Sequence, residues 1–379
     1  MTLFPVDMDY SILDRPIESN LPFAIYKLPD KEEVHLILQN DNNVRTIHDV
    51  ESICNQEGFV ICPFVNSKQT PIISIRPDFH LVGTNEIINF PTNFFRNDIT
   101  FNKSEYYKLD AVDDFEIYKT NFEVFHKALT NKRFAKLVLS REMIIRKKTD
   151  FSIGKIFERA IEKYPNTFIY LLNTSKTGVW FGCSPEALLS GKNKTWKTAA
   201  LAGTRKTAPG KIDWDYKNIA EQKIVADFIK ENLENLQIAF KKGEPYTVQA
   251  GNIEHCNVDF TITLDSPEKA GILLKALHPT PAVSGYPKDE AIKFITENEN
   301  YERLYYSGFA GAVNISDATD LFVNIRCMQV SDNKLRLYAG GGLTESSELN
   351  DEWLETEYKL QTLLALFEMQ HVTSLPLNH

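Results

Sequence analysis

The order in which hydrophobic periodicity changes along the chain limits the possible folds more than any other property of the sequence. Tyr118–Asn131 carries apolar residues at helical spacing, Phe134–Ile145 alternates with a period of two, and Ile153, Ile156, Phe157, Ala160 and Ile161 form a helical stripe that Pro165 ends. Further strands are expected over Thr167–Leu172, Gly178–Cys183, Asn257–Leu264, Leu321–Val330 and Lys334–Ala339, and further helices over Asn218–Phe240 and Asp351–Met369. The strict strand–helix–strand alternation of a doubly wound parallel sheet is missing, so the pattern predicts an α+β fold with largely antiparallel sheet. Ahead of this region, His35–Leu38, Gly58–Pro63 and Pro71–Ile75 read as short strands between Asp, Asn, Pro and Gly clusters.

Composition narrows the partner. The 379 residues hold 42 Lys+Arg against 51 Asp+Glu, a net charge of −9, with no basic block. Such a balance argues against a nucleic-acid or anionic-membrane surface, while leaving room for a local cationic pocket. The five cysteines (Cys54, Cys62, Cys183, Cys256, Cys327) are scattered, without metal-ligand spacing, and read as buried small hydrophobes in a reducing compartment. The N-terminus lacks a basic segment followed by an apolar one, and no apolar run approaches the ~20 residues of a membrane span. A cytoplasmic protein is expected.

The informative residues are ionisable groups on faces that the periodicity assigns to the core, because an uncompensated buried charge is costly. Glu221 lies near the middle of the arc formed by Ile224, Val225, Phe228, Ile229, Leu233 and Leu236. It either points inward or complements the helix dipole from the first turn. On the last helix, Trp353, Leu360, Leu363, Leu364 and Phe367 form the stripe, with Glu352 inside it, Glu355 at its margin and Asn350 as a candidate N-cap. Oxygen-only donors on two helices suit a hard cation such as Mg²⁺; surface acids are the alternative.

Lys136 shares a strand face with Phe134, Val138 and Ser140. A lysine amine withdrawn from water can act as a general base, whereas on an open sheet face it would be solvated. Arg326 shares a face with Phe322, Asn324 and Met328, which suits either carboxylate recognition or an internal salt bridge. The turns Ala202-Gly203-Thr204, Ser284-Gly285 and Gly340-Gly341-Gly342 would let backbone approach an anion. His278, in a doubly proline-bounded turn, reads on its own as a structural histidine.

As a set, these residues carry a resemblance. Lys136-Leu-Val-Leu-Ser-Arg-Glu, Ser184-Pro-Glu-Ala-Leu-Leu, Leu201-Ala-Gly-Thr-Arg, and His278-Pro-Thr-Pro-Ala-Val-Ser-Gly-Tyr-Pro-Lys look like ordered motifs of the chorismate-binding enzymes. Tyr305-Tyr-Ser-Gly, Asn324-Ile-Arg, Tyr338-Ala-Gly-Gly-Gly-Leu and Glu352-Trp-Leu-Glu-Thr-Glu-Tyr-Lys continue the series. The likeness covers residues 105–370 and is strongest to the isochorismate synthases. It implies a single domain over residues 1–379, with two stacked, mainly antiparallel sheets and outer helices. Residues 1–104 would be a variable, strand-rich part and residues 105–370 the catalytic region.

Carried over by motif, the resemblance implies that Glu221 and Glu355 hold Mg²⁺, with Glu352 beside or behind them. Arg326, Lys359, Thr204, Tyr338 and the amides around Gly203 and Gly340 would cradle the carboxylates of chorismate, and His278 would orient its ring region. Lys136 would be the general base activating water for attack at C2, and Glu186 the general acid for the departing C4 hydroxyl. Burial should raise the affinity of Glu186 for its proton.

Lys136 stands where ammonia-using anthranilate synthases carry glutamine, and Ala202 where aminodeoxychorismate synthases that form a covalent amine adduct carry lysine. Ala282 replaces the threonine of the ammonia-using and lyase members. Salicylate synthase is the alternative that these positions exclude least firmly, and a non-catalytic chorismate binder is a second. Gln222 and His255 depart from the residues common in relatives. A water nucleophile needs no glutamine amidotransferase subunit, and a monomer is expected.

Overall fold

Runs rich in Val, Ile, Phe and Tyr pair into two sheets in the computed structural model, which describes residues 13–14, 17, 21–90, 114–147, 151–207, 213–250 and 253–367. One sheet has nine strands, in the order Gly285–Tyr286, Lys136–Arg146, Lys334–Leu343, Cys327–Val330, Gly178–Ser184, Phe168–Thr174, Phe23–Lys27, Val34–Leu38 and Phe79–Val82. The other runs Phe240–Lys242, Ile253–Thr263, Thr195–Lys206, Ala187–Lys192, Ala318–Val323, Phe309–Ile315, Gly58–Cys62, Ile72–Ile75 and Arg45–Ile47, with Tyr246–Ala250 also pairing Ile253–Thr263. Every pairing among these strands is antiparallel, as the missing alternation predicts. Both sheets take strands from either side of residue 105: Phe23–Lys27 pairs with Phe168–Thr174, and Gly58–Cys62 with Phe309–Ile315.

The inner faces meet in an aromatic layer. Phe168 and Phe322, one from each sheet, stack with ring centroids 4.3 Å apart and planes 7° from parallel. Burying each such ring contributes about 1.5–3 kcal/mol, so this layer fixes how the sheets stack. Helices Ile153–Lys163 and Leu349–Leu364 cover the outer face of the first sheet through Ile156, Phe157, Leu360 and Leu363. Helix Tyr216–Asn235 supplies Val225, Phe228, Ile229 and Leu233 to the core of the second. Among the described residues no helix is long and apolar enough to cross a membrane. All five cysteines are free and buried.

Four local expectations are corrected. Leu321–Val330 is not one strand: Ala318–Val323 belongs to the second sheet and Cys327–Val330 to the first. The chain crosses between them at Asn324–Arg326, where Arg326 takes a left-handed φ of 49°. Asn324 pins the crossing by accepting from Tyr170 Oη at 2.7 Å and donating Nδ2 to Tyr305 O at 2.8 Å. Alternating hydrophobicity continues through such a crossing and does not reveal it.

The Asn218–Phe240 helix begins at Tyr216 and ends at Asn235, with Gln237 left-handed (φ 56°) before the next strand starts at Phe240. Glu221 therefore sits beyond the first turn. Gly340–Gly342 is strand rather than turn, within Lys334–Leu343, and Gly203 lies within Thr195–Lys206 at a bulge. The last helix spans Leu349–Leu364 with Glu348 at the cap position, so Asn350 is inside it; Met369 lies outside the described residues.

Candidate active site at the glycine strand

Lys136 opens its strand and is completely buried, which rules out the open-face reading. Its Nζ lies 2.9 Å from Glu221 Oε1. The approach is off the angle of a good hydrogen bond, and among the described residues Nζ has no other hydrogen-bond partner. Gly342, on the adjacent strand, makes this meeting possible. A Cβ there would stand 2.2 Å from Glu221 Oε1 and 2.7 Å from Lys136 Cε. A side chain at this position would displace both groups.

Gly341 does the same for the last helix, since a Cβ on it would lie 3.1 Å from Glu352 Oε2 and 3.4 Å from Glu355 Oε1. Glu355 Oε1 is held by Lys359 Nζ at 2.6 Å, and the same amine donates to Gly340 O at 2.8 Å. Lys217 pairs with Glu352 Oε1. Burial alone would raise the proton affinity of Glu355, but Lys359 outweighs it and holds the carboxyl below its usual range. Glu352 goes the other way: burial first, then the Glu355 charge, push it up to about 7 despite Lys217. Glu352 Oε2 is buried and meets no hydrogen-bond donor among the described residues.

Glu186 is held by its backbone. Ser184 Oγ accepts from Glu186 N at 3.3 Å and donates to Val323 O at 2.6 Å, while Val323 N donates to Glu186 O at 2.9 Å. Its carboxyl is buried, and burial raises it to about 7, with Lys136, Arg326 and Lys359 acting against the shift. Three basic side chains thus act on one carboxyl, and its upward shift matches the expectation from sequence.

Arg326 is buried, and its Nη2 lies 3.2 Å from His255 Nε2. His255 Nδ1 lies 3.0 Å from Gly203 O and 3.3 Å from Thr204 Oγ1. Burial, then the Arg326 and Lys359 charges, lower His255 to about 3, so it is neutral. In the tautomer that fits, Nδ1–H donates to Gly203 O and Nε2 accepts from Arg326. The bulge at Gly203 (φ 75°) aims that carbonyl at the ring. Thr204 N donates to Asn218 Oδ1 at 2.9 Å, so that amide is already occupied.

Tyr338 is buried and stacks between Trp180 (5.7 Å, 10°) and Tyr306 (5.2 Å, 9°). His278 places Nε2 3.1 Å from Pro63 O and its ring edge-on to Phe309 at 4.8 Å. Burial lowers it to about 3, so its neutral ring donates Nε2–H to that carbonyl. These contacts support the structural reading of His278.

Lys136 and Glu221, Glu352 and Glu355, and Glu186 with Arg326 and Lys359 are thus brought together. Sequence reasoning missed Lys217 and gave His255 no role. Lys217 stands near a helix start with no apolar face to mark it as misplaced. His255 lies in the strand Ile253–Thr263, and its only mark in the sequence is that it departs from the residues common in relatives.

The donor set fits a hard cation. It is all oxygen, Glu352 Oε2 is orphaned, and carboxylate oxygens fill the space that Gly341 and Gly342 leave open. Among the described residues no three His, Cys, Asp or Glu groups converge closely enough to hold an ion by themselves. The chain would supply only part of the coordination, as in magnesium sites completed by water and an anionic substrate.

Residues 84–368 match the chorismate-binding enzyme family. The isochorismate synthase EntC of Escherichia coli K12 is 31% identical over 242 residues, covering 61% of this chain and 62% of that protein. The isochorismate synthase MenF of the same organism is 27% identical over 257 residues, covering 65% and 59%. The chain thus spans about three fifths of the length of these curated relatives. The solved structure of MenF, the menaquinone-specific isochorismate synthase from Escherichia coli, shares the fold, with a TM-score of 0.78 over 96% of this chain and 92% of that one at 20% identity. The chain belongs to the chorismate-binding enzyme family.

Proposed function

We propose that the protein interconverts chorismate and isochorismate. The observation that carries this reading is the opposed pair at the site: a fully buried lysine amine with no well-aligned hydrogen bond, and a buried carboxyl raised to about 7. Displacing an allylic hydroxyl by water needs one group to take a proton and another to give one, and Lys136 and Glu186 are such a pair. Lys136 Nζ takes a proton from water as its oxygen bonds to C2. Both ring double bonds shift, C1=C2 to C1=C6 and C5=C6 to C4=C5, and Glu186 delivers its proton to the C4 hydroxyl, which leaves as water.

Arg326 and Lys359 answer the two carboxylates of the substrate, and Thr204 Oγ1 adds a hydroxyl. His255 holds the guanidinium in place and leaves its other donors free to turn toward an anion. Tyr338, locked in its aromatic stack, offers a rigid wall. Glu221 and Glu355, with Glu352, would hold Mg²⁺, which when bound would neutralise carboxylate charge on the substrate. Water as nucleophile follows from Lys136 and from Ala202, which offers no amine for covalent attachment. Chromatography after incubation with chorismate and Mg²⁺ tests the reading: isochorismate is expected, and salicylate with pyruvate, or no product with any divalent metal, would overturn it.

A further inference from the structure

The strand that begins at Lys136 is paired on one side from Leu137 to Arg146 by Lys334–Leu343. On the other side its partner, Gly285–Tyr286, is two residues long and reaches only Lys136 and Leu137. Past Val138 N, which donates to Ser284 O at 2.9 Å, no strand among the described residues lies beside the edge, although Val138–Arg141 is buried. Side chains serve that edge instead. Val138 O accepts from Arg303 Nη2 at 2.8 Å, and Ser140 N donates to Glu299 Oε1 at 2.9 Å.

Glu299 and Arg303 are themselves paired, Nη2 to Oε1 at 2.6 Å and Nε to Oε2 at 2.7 Å, with side chains only 1% and 2% exposed. Arg303 Nη1 also donates to Val283 O at 2.7 Å. One guanidinium therefore bridges the Lys136 strand and the segment that feeds its short partner. Ser140 Oγ donates to Glu299 Oε1 at 2.8 Å and accepts from Tyr301 Oη at 2.6 Å, and Tyr301 stacks on Tyr338 at 6.1 Å. Neither Glu299 nor Arg303 touches Lys136 Nζ.

We propose that Glu299 and Arg303 are positioning residues that hold the open edge of this strand and fix the backbone from which Lys136 reaches the Glu221 carboxylate. A displacement of about 1 Å in a reacting group can cost on the order of 100-fold in rate. The proposal rests on the reading of Lys136 as general base.

The test compares Glu299→Gln, Ser140→Ala and Lys136→Gln in the full chain, measuring kcat, KM for chorismate and thermal unfolding. Glu299→Gln should lower kcat about 10- to 100-fold with KM within about twofold, while the protein stays folded at the assay temperature. Ser140→Ala, which keeps the ion pair, should lower kcat several-fold at unchanged KM, and decides the matter if Glu299→Gln does not fold. Normal kcat in Ser140→Ala, or in folded Glu299→Gln, overturns the positioning role, as does a rise in KM without a fall in kcat. Lys136→Gln separates the two claims: if it turns over normally the base reading fails, and if it is dead while the other variants are normal only the positioning role fails.

Discussion

Gly342 faces the meeting point of Lys136 and Glu221, and the missing side chain of the glycine is what lets Lys136 Nζ come within 2.9 Å of Glu221 Oε1. Its backbone is ordinary strand, so an added Cβ acts only by pushing these two side-chain ends aside. Gly342→Ala should therefore fold, with Tm lowered by a few degrees, and lose at least about 100-fold in kcat as both side chains are pushed aside. Steady-state kinetics alongside circular dichroism check this; near-normal kcat would place the chemistry elsewhere.

Glu186 ties activity and stability to the same proton. Its folded value near 7 lies above the unfolded 4.5, so the folded chain binds the extra proton between those limits. Stability from this group is full below about 4.5 and lost as pH rises through 7, roughly 3 kcal/mol in all. Glu186→Gln removes the titration and should raise Tm at pH 8 while abolishing turnover and sparing chorismate binding. For the wild type, kcat should fall as pH rises through about 7, because only the protonated carboxyl can serve the leaving hydroxyl.

His255 and His278 act on stability at the acid end. Both are lowered to about 3 by burial, so the unfolded chain binds protons first as pH falls below about 6.5. Each should remove roughly 2 kcal/mol between pH 7 and 5, measured as a drop in urea midpoint. His278→Gln should cost more in stability than in kcat, since its ring serves Pro63 and Phe309. A large KM effect with normal stability would restore the expected substrate contact.

Metal dependence should be read in binding as well as rate. Glu221→Gln and Glu355→Gln should each weaken Mg²⁺ binding by calorimetry at least tenfold, whereas Lys217→Met, which frees Glu352, should not weaken it. Chelator should abolish turnover and Mg²⁺ restore it.

The charges on apolar faces were the legible part of the site. Lys136, Glu221 and Glu352 are buried where periodicity placed them, because burial of a charge leaves a mark in the alternation itself. Arg326 was located by the same rule on a strand that does not exist: apolar alternation runs unbroken from Phe322 to Met328 while the backbone crosses between sheets. The antiparallel architecture followed from element order. What could not be read were the long-range supports, such as Arg303 on Val138 O and His255 on Arg326, where residues 165 and 71 positions apart meet. Nothing local in the sequence specifies such meetings.

In the proposed reaction Lys136 directs water onto C2 while Glu186 releases the C4 hydroxyl. Turnover of chorismate in ¹⁸O-labelled water, followed by mass spectrometry, tests it most directly. The account predicts isochorismate carrying one ¹⁸O at C2 with the wild type and no product with Lys136→Ala. Unlabelled isochorismate, which would mean that the hydroxyl migrates without leaving, or full activity of Lys136→Ala would contradict it.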